Sequence, residues 1–397
     1  MNNLIHKHNQ AYVFYTLQIK KLFNIAIWLV AFSSCHEKVK TKPIISIIVE
    51  NIPQMSGKYQ EKVSNFTFVP LETKDESLIQ YIKKVTIYDN KIYILDDQRP
   101  LFAIFTIDGK FIRSVGKKGN GPGEFYFPSD FLIDSLHKQI EVYDGLRDRI
   151  LIYNLNGNFL KRIPVPVRGD YFVKFTNEDY IVYTNMRNEK EMTFKLARID
   201  KSGKLVSKEL AYTAKTNQTL FSPFVHISKD EFILSEYNCD TIFRINPKEV
   251  IPWVYIDMGK EGMPYEYRLD FDKASNNAQK YSQKAGSPMI LGNQLIVKYS
   301  KNWNPKYLFY NLLDNSANYF KVTNTYDLAF GTPSFSSNNK MVGVIQTTSL
   351  NLHKTNPQYA LQYQMGEKIP QIENFRKNMK LTDNPCLVIW TLNKTDK

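Results

Sequence analysis

Residues 83–115 read KKVTIYDNKIYILDDQRPLFAIFTIDGKFIRSV. It contains four short apolar-rich segments: Lys83 to Tyr88, Lys91 to Leu95, Leu101 to Ile107, and Lys110 to Val115. They are joined by Asp89-Asn90, by the polar loop Asp96 to Pro100, and by Asp108-Gly109. Asp-Asn and Asp-Gly tolerate the positive φ that a tight antiparallel turn requires, so the stretch predicts a four-stranded meander.

The same unit recurs downstream. Residues 130–163 repeat it with Asn156-Gly157 standing where Asp108-Gly109 stood, and residues 171–210 and 223–256 repeat it again. Two degraded copies follow, one from about Pro288 to Val322 and one opening near Pro333. First strands therefore start near 83, 130, 171, 223, 289 and 333. Four-stranded units at intervals of roughly 40 to 65 residues are the signature of propeller blades. The prediction is an all-β fold: a six-bladed β-propeller of four-stranded blades. The sixth unit shows two strands and then a third only at Pro385 to Leu392, with no fourth before the chain ends. A spare strand lies at the other end, Asn65 to Leu71. Placed on the outer edge of blade six, this N-terminal strand closes the ring.

The 397 residues include 25 Tyr and 25 Phe against 4 Trp, ring surface that suits half-buried strands and argues against disorder. The net charge of +13 is spread singly along the chain. Solvated strand faces explain that pattern better than a nucleic-acid surface does, so no nucleic acid is expected as a partner. Three cysteines, Cys35, Cys239 and Cys386, make neither a disulfide framework nor a zinc signature.

The amino end reads as an address. Residues 22–34, LFNIAIWLVAFSS, follow Lys20-Lys21 and close on small residues before Cys35. A basic flank, a short apolar core and a small-residue exit describe a secretory signal too short to span a membrane comfortably. Phe32-Ser33-Ser34-Cys35 resembles the lipobox of bacterial lipoproteins, which implies that Cys35 is diacylated and becomes the mature amino terminus. The resulting division is a signal peptide over 1–34, an anchor and lead-in segment over 35–64, and the propeller over 65–397. Two insertions interrupt the propeller, at 260–287 and 347–384. The expected location is the bacterial envelope, on the periplasmic side or the cell surface, with the membrane engaged through lipid on Cys35.

Gly116-Lys117-Lys118-Gly119-Asn120-Gly121-Pro122-Gly123-Glu124-Phe125, followed by Pro128, resembles the GxxGxGPGEF…P segment of a family of six-bladed propeller lipoproteins of Gram-negative bacteria. That family is distantly similar to NHL-repeat propellers. Val69 to Thr73, Asp240 to Arg244 and Tyr255 to Gly259 also fit it, and the resemblance spans about residues 42–392. It implies the fold far more than a function. The glycines of this loop suit positive φ at an inter-blade crossing better than a phosphate cradle, which needs a following helix or a placed Lys.

Little chemistry is visible in the motifs. Beyond the leader the histidines are His36, His137, His226 and His353, with no HxxxH or CxxC pair, so no metal site and no cofactor are expected. No GxSxG elbow is present. The strand order does single out one rim, where the second-to-third strand loops and the inter-blade loops open together. Those loops are rich in Arg, Asp, Asn and aromatic residues, and both insertions emerge there. Asp97, Arg99, Arg147, Arg187, Glu236, Tyr237 and Trp303 are the candidate ligand contacts, since Arg and aromatic side chains suit both sugar stacking and protein hot spots. The favoured reading is a non-catalytic recognition module for a glycan, peptide or envelope protein. An envelope hydrolase or lyase using rim carboxylates, and a structural subunit of an envelope assembly, are the alternatives. No signal for an oligomeric state is present.

Overall fold

The computed structural model describes residues 45–52, 63–185, 193–212, 222–236, 239–268, 271–284, 287–301, 304–321, 333–337, 339–347 and 377–392. The chain divides into two compact units, Met1–Lys42 and Pro43–Lys397, and every described residue belongs to the second. The leader and Cys35 lie outside the described residues.

After β1 (Ile45–Ile48) and β2 (Val63–Pro70), the strands fall into six consecutive sheets. Blade one holds β3 (Lys84–Tyr88), β4 (Lys91–Asp96), β5 (Leu101–Thr106) and β6 (Phe111–Ser114). Blade two holds β7 (Pro128–Asp134), β8 (Gln139–Asp144), β9 (Arg149–Asn154) and β10 (Phe159–Pro164). Blade three holds β11 (Tyr171–Lys174), β12 (Tyr180–Tyr183), β13 (Phe194–Ile199) and β14 (Leu205–Ala211). Blade four holds β15 (Phe224–Ser228), β16 (Glu231–Leu234), β17 (Thr241–Ile245) and β18 (Val250–Asp257). Blade five holds β19 (Gln283–Lys284), β20 (Met289–Leu291), β21 (Gln294–Lys301), β22 (Asn304–Asn311) and β23 (Ala317–Lys321). Blade six holds β24 (Pro333–Ser337), β25 (Lys340–Ile345) and β26 (Cys386–Leu392). The protein is a six-bladed β-propeller.

The turns form where the sequence chemistry placed them. Asp89 and Asn90 take φ of 49° and 54°, which closes the first hairpin of blade one. Gly109, Gly157 and Gly203 sit at φ of 90°, 86° and 89° in the same outer hairpin of blades one, two and three. In each, a polar side chain at the start of the turn, on Thr106, Asn154 or Asp200, accepts from turn backbone N–H groups.

Alternation puts the apolar side chains between blades rather than in one central mass. One buried cluster joins Tyr93, Phe102 and Ile104 of blade one to Phe131, Val142 and Leu151 of blade two. Others join blades two and three, three and four, four and five, and six and one. Between blades five and six, the Ile290 N–H donates to Ser336 Oγ at 3.3 Å.

Ring closure follows the expected route. β2 pairs antiparallel with β26 from Val63↔Leu392 to Pro70↔Cys386, completing blade six as its outer strand. Each blade is a radial sheet that buries both faces against its neighbours, so only a ring leaves no end blade with an uncovered face, while the strand edges stay short and protected. The lead-in segment also holds a strand that hairpin chemistry gives no sign of. β1 lies parallel to β18, from Ile45↔Val254 to Ile48↔Asp257, as a fifth strand on the outer edge of blade four.

Of the three cysteines, Cys239 and Cys386 are free thiols. Burial pushes the Cys386 thiol up to about 12.

Candidate functional site

The two rims of the ring differ. The rim with the strand one-to-two and three-to-four turns is closed by tight hairpins, whereas the other carries the long loops. Among the described residues eleven large apolar side chains are exposed, and six of them, Leu78, Tyr81, Tyr126, Leu146, Tyr265 and Leu381, lie on the loop-rich rim. Only Leu136 and Leu313 of that set lie at hairpin turns of the opposite rim.

The loop-rich rim is held up by buried carboxylates. Asp96, at the end of β4, accepts from the Gln80 and Tyr81 N–H groups at 2.6 and 3.2 Å with one oxygen. Its other oxygen accepts from the Gln98 and Arg99 N–H groups at 2.9 and 3.1 Å. Asp144 repeats the device in blade two, taking the Tyr126 and Phe127 N–H groups and the Arg149 guanidinium. These two residues fix the inter-blade segments without facing a ligand.

The glycine loop is stitched to itself. Gly116 and Gly123 have φ of 64° and 69°, and a Cβ on Gly119 would meet the Glu124 carboxylate at 2.0 Å. Glu124 accepts from the Gly121 N–H at 2.8 Å, and Arg149 donates to the Glu124 carbonyl at 2.8 Å. The loop's carboxylate therefore occupies the position a phosphate would need, consistent with an inter-blade crossing.

Arg147 donates to the Gly119 carbonyl at 3.0 Å and to Asn120 Oδ1, so it clamps this loop. Its guanidinium also stacks on the Tyr126 ring at 5.5 Å, while the Lys118 ammonium lies 5.3 Å from the same ring. Tyr126 is 46% exposed, an aromatic surface flanked by two cations. Arg99 is exposed and reaches the rim through its backbone. Arg187, Tyr237 and Trp303 lie outside the described residues.

Two charged groups line the inner edges near the channel mouth. In the first, Asp97 pairs with Lys83 at 2.9 Å. The Lys83 ammonium lies over Phe127 at 5.6 Å and over Tyr171 of blade three at 5.4 Å, so blades one and three approach closely here. The second lies where blades three, four and five meet. Glu236, 7% exposed, accepts from Tyr183 at 2.8 Å and pairs with Lys195 at 2.6 Å. Burial works against the Lys195 ammonium, but Glu236 raises its pKa overall. Lys284 of β19 donates to Ser235 Oγ at 3.2 Å. Asp240 pairs with Arg268, which sits on the helical turn Tyr265–Arg268 of the first insertion. Glu261 of that insertion pairs with Lys301 and Lys306 at 3.4 and 3.1 Å, so the insertion's described residues, 260–268 and 271–284, are seated on the loop-rich rim. The second insertion lies largely outside the described residues.

Of the expected contacts, the structure places Glu236 in this second cluster and Asp97 in the first. Sequence reading missed Lys284, Lys195, Tyr183 and Ser235. Lys284 lay inside what read as an insertion, and Lys195 and Tyr183 of blade three meet Ser235 and Glu236 of blade four only where the ring brings the two blades together.

A third charged group lies at the opposite rim. Lys174 joins Asp134 at 2.6 Å and Glu141 at 2.7 Å, and Asp134 also meets His137 at 2.8 Å. Glu141 is fully buried between blades two and three, where no substrate can reach it. Among the described residues, no three His, Cys, Asp or Glu side chains converge as metal ligands, and no helix is long and apolar enough to cross a membrane.

Residues 43–391 match a domain of unknown function, DUF4934. The chain belongs to the DUF4934 family. Solved structures with a similar fold include two from Bacteroides species. A candidate exported protein of Bacteroides fragilis is 18% identical with a TM-score of 0.71, over 88% of this chain and 99% of that one. A member of the DUF4221 family from Bacteroides vulgatus is 10% identical with a TM-score of 0.53, over 83% of this chain and 97% of that one. At these identities the likeness establishes the fold of this DUF4934 chain. No curated protein matches its sequence.

Proposed function

We propose that this protein is a lipid-anchored envelope recognition module, tethered through Cys35, that binds an envelope polymer on its loop-rich rim. The observation that carries the reading is the asymmetry of the ring. The loop-rich rim gathers Tyr81, Tyr126 and Tyr265 with Leu78, Leu146 and Leu381, all exposed, around a charged channel mouth. Exposed aromatic rings, Tyr126 among them with a cation on each side, suit stacking on sugar rings or peptide side chains. The signal-like leader and the likeness to a candidate exported protein support delivery outside the cytoplasm. The catalytic alternative gains nothing from the Asp134–Glu141 pair, because that pair is occupied by Lys174 and buried away from the loops.

A panel of immobilised envelope oligosaccharides and cell-wall peptides tests the reading. Tyr126→Ala with Tyr265→Ala should abolish binding, while Leu136→Ala with Leu313→Ala on the opposite rim should leave it intact. Binding lost in the second variant and kept in the first would overturn it. Incorporation of labelled palmitate, lost in Cys35→Ala, tests the anchor.

A further inference from the structure

Lys284 is 5% exposed. It lies on β19, which pairs with the end of β21 at Gln283↔Ser300 and Lys284↔Tyr299. β19 is therefore the innermost strand of blade five at this level, and nothing of that blade stands between it and the channel. An ammonium has three donors, yet among the described residues the only hydrogen bond of this one is to the neutral Ser235 Oγ at 3.2 Å.

The neighbouring acids are already committed. Glu236 gives one oxygen to Tyr183 and the other to Lys195, at 2.8 and 2.6 Å. Asp240 is held by Arg268. Burial pushes the Cys239 thiol up, against its charged form. A buried cation without a partner of its own is costly, and folds rarely keep one for stability alone.

We propose that Lys284 is the cation of a carboxylate-binding site at the channel mouth, completed when a ligand carboxylate docks against it. This rests on the loop-rich rim being the recognition surface. Glu236 and Asp240 beside it repel a second negative charge, which favours a monoanionic carboxylate over a phosphate dianion. The walls are preorganised, because Tyr183, Lys195 and Glu236 are locked to one another before any ligand arrives.

The groups facing Lys284 also set its pH behaviour. Burial lowers its pKa, Cys239, Asp240 and Glu236 oppose that shift, and Arg268 reinforces it. Lys195 lies beyond Glu236 and is neutralised by it. A docking carboxylate favours the charged amine, so binding takes up a proton and weakens as pH rises.

Calorimetry on the full-length protein in detergent, with sodium glucuronate, N-acetylglycine and glucose, tests the proposal. At least one carboxylate should bind with proton uptake, and glucose should not. Glucuronate alone marks an acidic sugar, N-acetylglycine alone a peptide terminus, and both together a site that reads the carboxylate itself. Lys284→Met should weaken that binding at least tenfold and raise the thermal midpoint, because it replaces an underpaired charge with an apolar chain of similar length. Failure of both carboxylates on the unmodified protein, unchanged binding by Lys284→Met, or a lowered midpoint in that variant would each overturn it. Such a failure leaves the rim reading to its own test on Tyr126 and Tyr265.

Discussion

Lys195 of blade three and Glu236 of blade four meet at 2.6 Å across the blade boundary, and both are largely buried. Glu236→Gln keeps the shape and strands the Lys195 ammonium. Breaking a buried pair from one side costs on the order of 3 kcal/mol. Adding Lys195→Met to that background should recover more than half of the loss. Urea unfolding of the unmodified protein and the two variants measures both steps.

Asp96 is expected to be among the least replaceable polar residues of the rim. Its carboxylate receives four backbone N–H groups, from Gln80, Tyr81, Gln98 and Arg99. Asn in its place retains one acceptor oxygen and turns an NH₂ towards two donors. The expected destabilisation is about 3 kcal/mol, from two lost charge-assisted bonds and buried donors left unmet. Hydrogen exchange of Gln80 and Tyr81 should rise selectively.

The three outer-hairpin glycines should differ in a fixed order. A Cβ on Gly203 would lie 2.0 Å from the Pro164 carbonyl oxygen, and one on Gly109 would lie 2.2 Å from that of Pro70. On Gly157 it would meet the Val115 side chain at 3.2 Å, with Arg113 and the Ser114 carbonyl oxygen at an ordinary 3.8 Å. Gly157→Ala should cost about 1 kcal/mol, the left-handed penalty alone. Gly203→Ala and Gly109→Ala should each cost at least about 2 kcal/mol, because the preceding blade's outer strand must also move. Thermal midpoints of the three variants give the ranking.

Asp134 and Glu141 share Lys174 but titrate in opposite senses. Burial pushes Asp134 up, yet the Lys174 and His137 hydrogen bonds outweigh it and hold the carboxyl at about 2. Burial dominates at Glu141 and raises it. A depressed acid contributes stability above its unfolded value near 4 and loses it as pH falls towards 2. Asp134→Asn should therefore cost about 1 to 2 kcal/mol at pH 7, after discounting for screening, and nothing below pH of about 2. A raised acid acts the other way, so Glu141→Gln should be neutral or stabilising at pH 7. Midpoints measured from pH 2 to 7 separate the two.

The blades were legible because each hairpin writes its own chemistry locally: Asp89-Asn90, Asp108-Gly109 and Asn156-Gly157 need no distant partner to be understood. Closure by β2 was legible from a deficit, since blade six lacked one strand and the chain held one spare. β1 was not, because Ile45–Ile48 pairs in parallel with a strand some two hundred residues away and has no turn to announce it. Arg147 was read as a ligand contact from its residue type and loop position. The structure ties it to Gly119 and Asn120, partners that sequence spacing does not reveal. Glu236 stood in a promising loop, but Lys284 became its neighbour only through ring geometry.

Hydrogen–deuterium exchange on the full-length protein, with and without solubilised envelope polysaccharide, tests the recognition rim most directly. Protection confined to residues 118–126, 144–149, 235–241 and 260–284 is the expected result. Protection at the hairpins around Leu136 and Leu313, or along the outer strands β10 and β14, would contradict it and move the contact surface elsewhere.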